Sequence, residues 1–384
     1  MATSDATGGV SYSVQVDSSA QALAERGRQR NEQLAAYWRR RIRARQDDFL
    51  RSVVLDTSSL ASYAQTATQF RARLLELLGG WIPRPHQTPA RVERLGEMGP
   101  GTLYRVHIEV IDEVELPALL LIPHAAESTP APAVICQHGY AGSPEWVFGF
   151  GTENQQNYLN AAGHRLASAG YVVIAPQIVC SPPGVGQDRV QLDRLARLAG
   201  ASLLGFEMFE LSRVVDYLDA RPEVLPGRIG MYGISQGGKS TLFLSALDTR
   251  IAAAVCSCYF NNRWNKMIEP EYLALHSDEE GLGYAAYLNL PEDDKFNPLA
   301  APLAPDHLLG ALICPRPFMV EIGRRDPVIY WRDALDEFER LHAIYAALGV
   351  AERAQAVVAQ WGTHEIFYDD AKAFLDRWLK AGLE

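Results

Sequence analysis

An α/β fold built on a mostly parallel sheet flanked by helices is predicted by three observations. Six apolar runs of strand length alternate with amphipathic helical stretches from residue 133 onward, the pattern of a sheet covered on both faces. A glycine-rich turn joins one of these runs to a helix at residues 233–240. Reactive side chains (His138, Ser235, Asp326 and His364) fall just past the carboxyl ends of the runs, where open parallel sheets place their sites.

The elements follow in chain order. Residues 1–18 are rich in Ser, Thr, Ala and Gly and are expected to be disordered. Apolar residues then recur at helical spacing over 20–45 and 60–78, the second stretch closed by Gly79-Gly80. Residues 1–100 therefore read as a disordered start with an N-terminal helical extension, and 101–384 as the main domain. Strands are expected at 103–111 and 116–122, then at 133–137, 172–176, 228–234, 251–257, 317–323 and 354–361. Helices are expected near 158–169, 201–220, 237–247, 331–348 and 366–380. Between Cys258 and Ala311 lie about fifty residues rich in aromatics, too many for a plain crossover. A cap insertion over 259–310, covering the site, is predicted.

Composition narrows the function. At 48% hydrophobic and 21% charged residues, the 384-residue chain is a globular protein. No run approaches the ~20 apolar residues that span a bilayer. The first ten residues lack the basic start and apolar core of a secretory signal, so no membrane association and a cytoplasmic location are expected. A net charge of -10 argues against a nucleic-acid partner. The arginines at 39, 40, 41, 43 and 45 read as a solvated helix face. On that helix Tyr37 and Trp38 invite burial, from which a homo-oligomer is expected. The five cysteines (Cys136, Cys180, Cys256, Cys258, Cys314) read as reduced core residues, because Cys256-x-Cys258 has no second pair at zinc-like spacing. No metal and no cofactor are expected.

The eight residues Gly233-Ile234-Ser235-Gln236-Gly237-Gly238-Lys239-Ser240 fit both the G-x-S-x-G nucleophile elbow and the G-x-x-x-x-G-K-[ST] phosphate loop. Each motif sits between a buried strand and a helix, so local context cannot choose. A nucleotide hydrolase also wants a magnesium-binding carboxylate at the end of a neighbouring strand. The run 251–257 ends in none. A serine nucleophile needs an upstream oxyanion donor, then an acid, then a histidine, in that order. The segment Cys136-Gln137-His138-Gly139-Tyr140, Asp326 and His364 supply all three.

Ser235 is therefore the candidate nucleophile, His364 the general base and Asp326 the residue that orients it. The backbone N–H groups of Gln236 and Tyr140 are the candidate oxyanion hole. His138, Trp146, Phe148, Tyr259 and Trp264 are expected to line the substrate pocket, although His138 also reads as a residue that shapes its own loop. Glu321 is the substitute acid, and Glu365 reads as a helix-start acid. A carboxylic ester is the leading substrate, with an amide, a peptide or a carbon–carbon bond next to a carbonyl as the alternative.

The motifs His138-Gly139-Tyr140-x-Gly142, Gly233-Ile234-Ser235-Gln236-Gly237-Gly238, Arg325-Asp326-Pro327 and Gly362-Thr363-His364-Glu365 resemble those of the α/β-hydrolase superfamily. Within it, residues 101–384 resemble the acetyl xylan esterase and cephalosporin C deacetylase group and the dienelactone hydrolase-like esterases. The resemblance implies an α/β-hydrolase fold, a Ser-His-Asp triad acting through an acyl-enzyme on a small-molecule ester, and no cofactor. Two departures stand out. The deacetylase group carries Arg-Gly-Gln where this chain has Gln177-Ile178-Val179-Cys180-Ser181-Pro182-Pro183-Gly184, and the small dienelactone hydrolases use a cysteine where it has Ser235. The resemblance thus implies the reaction class and leaves the substrate open.

Overall fold

A computed structural model describes residues 3–4, 10–11, 17–81, 88–111, 113–140, 142–151, 158–179, 189–268 and 304–381. The chain divides into two compact units, Met1–Arg51 and Ser52–Glu384. In the first, β1 (Thr3–Ser4) pairs antiparallel with β2 (Val10–Ser11); most of the stretch expected to be disordered lies outside the described residues. Helix α1 (Ala20–Ser52) runs past the expected end at 45, because residues 46–52 contain neither glycine nor proline to stop it. Tyr37 and Trp38 are exposed on it and meet edge to face, ring centroids 5.0 Å apart.

The helix expected over 60–78, read as part of the N-terminal extension, belongs to the larger unit. Helix α2 (Leu60–Leu77) starts at Ser59, whose side chain accepts the Ser62 amide. Buried Tyr63 donates its hydroxyl to Ala311 O at 2.6 Å. Arg71 donates to Ala246 O at 2.7 Å and Leu312 O at 2.9 Å, satisfying carbonyls at the ends of two other helices.

A nine-stranded sheet organises the rest. Its strands are β3 (Ala90–Met98), β4 (Gly101–Ile111), β5 (Val114–Pro123), β6 (Ala131–Gln137), β7 (Val172–Pro176), β8 (Val224–Ile234), β9 (Ile251–Ser257), β10 (Phe318–Gly323) and β11 (Ala354–Ala359). Their order is β11-β10-β9-β8-β6-β7-β5-β4-β3. From β11 to β7 all neighbours are parallel, and β5, β4 and β3 complete the sheet antiparallel. Every expected strand is present within a few residues. Strand β3 was not expected: it pairs with β4 alone, is largely exposed and carries charges at Arg91, Glu93, Arg94 and Glu97 in place of an apolar alternation.

Alternate residues show why both faces are covered. Val134 and Cys136 of β6, Val173 and Ala175 of β7, Tyr232 and Ile234 of β8, Ala253 and Val255 of β9 and Met319 of β10 share one apolar cluster. The cluster also takes residues of α4 (Ala162–Ser168) and α11 (Asp369–Leu379), which lie over that face. Short helix α3 (Pro144–Val147) feeds it Val147. The intervening strand residues, such as Ile135, Ile174, Met231, Ala254 and Val320, are buried as well. Helices α6 (Leu203–Asp219), α7 (Gln236–Leu247) and α10 (Trp331–Ala347) pack on the sheet, with α2 on α7. Helices α5 (Arg189–Leu198), α8 (Arg263–Ile268) and α9 (Asp306–Ala311) were not expected. Most of the expected cap, 269–303, lies outside the described residues, but its two ends are joined: Asp306 accepts the Asn261 amide at 3.0 Å and pairs with the Arg263 guanidinium.

Docking of α2 through Tyr63 makes a prediction. Tyr63→Phe leaves Ala311 O without this partner, so it should lower unfolding stability by about 1 kcal/mol, read as a reduced urea midpoint at unchanged slope.

Candidate active site

Site construction begins at the turn from β8 to α7. Ser235 sits in it with φ 57° and ψ -117°, a conformation that β-carbon-bearing residues rarely adopt. The flanking glycines allow it. A Cβ on Gly233 would lie 2.3 Å from Gly237 O, and one on Gly237 would lie 2.3 Å from Gln137 O. The elbow is thus pressed against the end of β6, and a Cβ on Gly139 would lie 3.3 Å from that of Ser235. Ser235 is pinned from the other side by its own amide, which donates to Ser257 O of β9 at 2.9 Å.

The phosphate-loop reading fails on the same geometry. Helix α7 begins at Gln236, and Lys239 N already bonds Ser235 O at 2.9 Å, so 236–239 are helical rather than looped around an anion. Lys239 and Ser240 are buried, and the Ser240 hydroxyl donates to Gln236 O at 3.1 Å. The helix instead presents its first-turn amides, which have no intrahelical partner, beside the serine. Gln236 supplies the first of them. Tyr140 follows Gly139 in a turn closed by Gly142 N to Gly139 O at 3.1 Å.

Asp326 and His364 come from the loops after β10 and β11. Fully buried Asp326 accepts the amides of Val328 (2.7 Å) and Ile329 (3.3 Å) on Oδ1. Its Oδ2 faces His364 Nδ1 at 2.8 Å. An ionised carboxylate only accepts, so Nδ1 carries the proton and Nε2 is left with a lone pair, the tautomer of a general base. The two loops are tied by Arg325 N to Gly362 O (2.9 Å), and Ile366 N binds Tyr158 O at 2.8 Å.

Other expected residues separate. His138 is fully buried, its Nδ1 2.8 Å from Gly139 O, and burial lowers its pKa to about 4. It shapes the loop as a neutral ring and does not line a pocket. Phe148 is also a correction: it is packed in the apolar cluster, where a Cβ on Gly163 would touch its ring. Trp146 is half-buried against the edge of Tyr158, ring centroids 6.4 Å apart. Tyr259 and Trp264 stay partly exposed at the start of the insertion, with the Arg263 guanidinium 5.0 Å from the Tyr259 ring. Glu321 is not a substitute acid, because its carboxylate takes the Tyr232 hydroxyl at 2.8 Å within the core. Glu365 is no helix-start acid either; it accepts the Thr363 amide at 3.1 Å, and α11 begins only at Asp369.

Sequence reading missed Cys258. Just past β9, with φ 49°, it lies between Ser235 and Asp326 in strand order, and its Sγ reaches Glu365 O at 3.5 Å. Its sulfur, an Asp326 carboxylate oxygen and a His364 ring nitrogen all lie within 4.8 Å of one another. No local spacing signals this, since its neighbours are 68 and 106 residues away. Cys136, Cys256 and Cys314 are buried free thiols, as expected; Cys180 lies outside the described residues.

Residues 116–274 match the model of the dienelactone hydrolase family. The Bacillus subtilis protein named "Putative hydrolase YtaP" is 26% identical over 80% of this chain and 98% of its own length. The 4-O-methyl-glucuronoyl methylesterase of Schizophyllum commune is 26% identical over 40% of this chain and 41% of its own. Among solved structures, a glucuronoyl esterase from Solibacter usitatus (17% identity, 85% of this chain, 97% of that one) superposes with a TM-score of 0.57. Acetyl xylan esterase 1 from Thermoanaerobacterium (15%, 82% and 93%) gives 0.54. At these identities the structures establish the fold. Among the described residues no helix is long and apolar enough to cross a membrane.

The buried core carboxyl sets a pH dependence. Burial raises the Glu321 pKa from 4.5 to about 7 in the folded protein. A raised folded value means that the folded state holds the extra proton, so this contribution is complete below pH 4.5 and is lost as pH rises through about 7. Glu321→Gln should therefore flatten the decline of Tm between those pH values; an unchanged slope would show that the group does not titrate there.

Proposed function

We propose that this chain belongs to the α/β-hydrolase superfamily and is a serine hydrolase that cleaves a small-molecule carboxylic ester through an acyl-enzyme. The observation that carries the proposal is the 2.8 Å His364–Asp326 contact beyond β10 and β11, at the same carboxyl end of the sheet as the strained serine elbow after β8. Ser235 Oγ attacks the ester carbonyl while His364 Nε2 takes its proton, and Asp326 stabilises the imidazolium so formed. Charge developing on the carbonyl oxygen is met by the Gln236 and Tyr140 amides. The protonated His364 then gives its proton to the departing alkoxide. In the second half-reaction water, deprotonated by His364, attacks the acyl-serine and releases the acid.

The family match and the ester-cleaving relatives support an ester over an amide. Tyr259 and Trp264, partly exposed where the insertion leaves β9, supply aromatic wall for the substrate. The chemistry needs no metal or other cofactor.

Ser235→Ala should retain the fold and lower kcat on an aryl acetate by at least ~10⁴-fold. A fluorophosphonate should form one adduct per chain, mapping to Ser235. Turnover unchanged in the variant would overturn the assignment. Parallel assays on a methyl uronate ester, an acetylated xylo-oligosaccharide and a matched amide identify the bond and the alcohol.

A further inference from the structure

Cys258 has no part in ester cleavage, yet its thiol shares a buried cluster with the proposed base and its carboxylate. We propose that Cys258, Asp326 and His364 form a site for a thiophilic divalent cation such as zinc, and that filling it switches the catalytic pair off.

The donor set is one thiol, one carboxylate and one imidazole, all within 4.8 Å of one another. Zinc bonds of about 2.0–2.3 Å to such donors put tetrahedral neighbours roughly 3.5 Å apart, so the cluster need only spread the 2.8 Å His364–Asp326 contact and draw in the sulfur. The surroundings are already those of a held ligand set. Asp326 Oδ1 is fixed by two backbone amides, leaving Oδ2 to bind, and the left-handed backbone of Cys258 turns its thiol toward the 363–365 loop. Cys256, two residues earlier, points its thiol to Gly238 O at 3.3 Å instead and takes no part. His364 is about one-quarter exposed (24%), so the imidazole is the member of the set that solvent reaches.

The proton balance explains the inhibition. The cation replaces the Cys258 thiol proton, which is released, and takes the Nδ1 lone pair of His364. The Nδ1 proton moves to Nε2, so the ring stays neutral but now presents N–H where it must accept the Ser235 proton. One proton leaves per cation bound, and binding tightens as pH rises.

The activity arm of the test rests on the ester reading above; the spectroscopic arm does not. In the full chain, zinc should inhibit aryl acetate hydrolysis. Cys258→Ala, with Cys258→Ser as a second variant, should raise the half-inhibitory zinc concentration by more than the ~10–100-fold that loss of an outer-shell partner costs. Independently, one equivalent of cadmium should produce an ultraviolet thiolate-to-metal charge-transfer band that both variants lack. Equal zinc sensitivity in wild type and variants, or a cadmium band that survives in them, would overturn the site. If no ester is turned over but the cadmium band appears and depends on Cys258, the cation site stands and the ester assignment falls.

Discussion

The strand-to-helix turn at Ser235 is the constraint on which the rest of the site depends. Its backbone can be held at φ 57° only because Gly233 and Gly237 leave no Cβ where the chain crosses itself and the end of β6. That crossing does more than expose a hydroxyl. It brings the turn that carries Gly139 and Tyr140 against the serine, a Cβ on Gly139 lying 3.3 Å from that of Ser235, so the amides proposed as oxyanion donors are held near the serine by the fold itself. Because β6 and β8 are neighbours while β7 lies on the far side of β6, the elbow also stands at the point where the sheet reverses its order, the place where open parallel sheets bind ligands.

Two carboxylates at or beside β10 meet opposite environments. Burial raises the Glu321 pKa to about 7 even though hydrogen bonds from the Tyr232 and Ser257 side chains and from the Phe367 backbone pull it down. Asp326, beyond the strand end, is equally buried but receives two backbone amides and the imidazole N–H. Five residues of chain thus separate an acid held within the strand among core side chains from one, equally buried, that meets the N–H groups of a loop.

Much of this was legible in the sequence for identifiable reasons. Strands β6 to β10 are largely apolar runs and β11 follows at the same spacing, so their ends could be located well enough to carry Ser235, Asp326 and His364 to the carboxyl end of the sheet. Strand β3 was invisible because an exposed edge strand needs no apolar alternation. Helix α2 was assigned to an extension because amphipathicity reports that a face is buried, not against what; the partners of Tyr63 and Arg71 lie some 175 to 248 residues away. His138 and Phe148 were taken for pocket wall because a polar ring and an aromatic beside a glycine turn look alike whether they face a substrate or the core. Cys258 was read as core for the same kind of reason: its neighbours are assembled only by the fold.

The insertion and Asp326 share a frame. Asp306 closes the ends of the insertion by binding the Asn261 amide and Arg263, and α8, held between them, donates from Lys266 to Val328 O at 2.6 Å. Val328 is the residue whose amide also orients Asp326. Asn265 adds a bond to Asp333 at 2.9 Å, in the first turn of α10. The first turn of the insertion is therefore fastened to the peptide that aims the acid, so Trp264 and the His364–Asp326 pair are positioned by one network of buried polar bonds. In the function proposed above, a wall at Trp264 that drifted relative to His364 would lose the alignment on which proton transfer depends; the shared Val328 peptide removes that freedom.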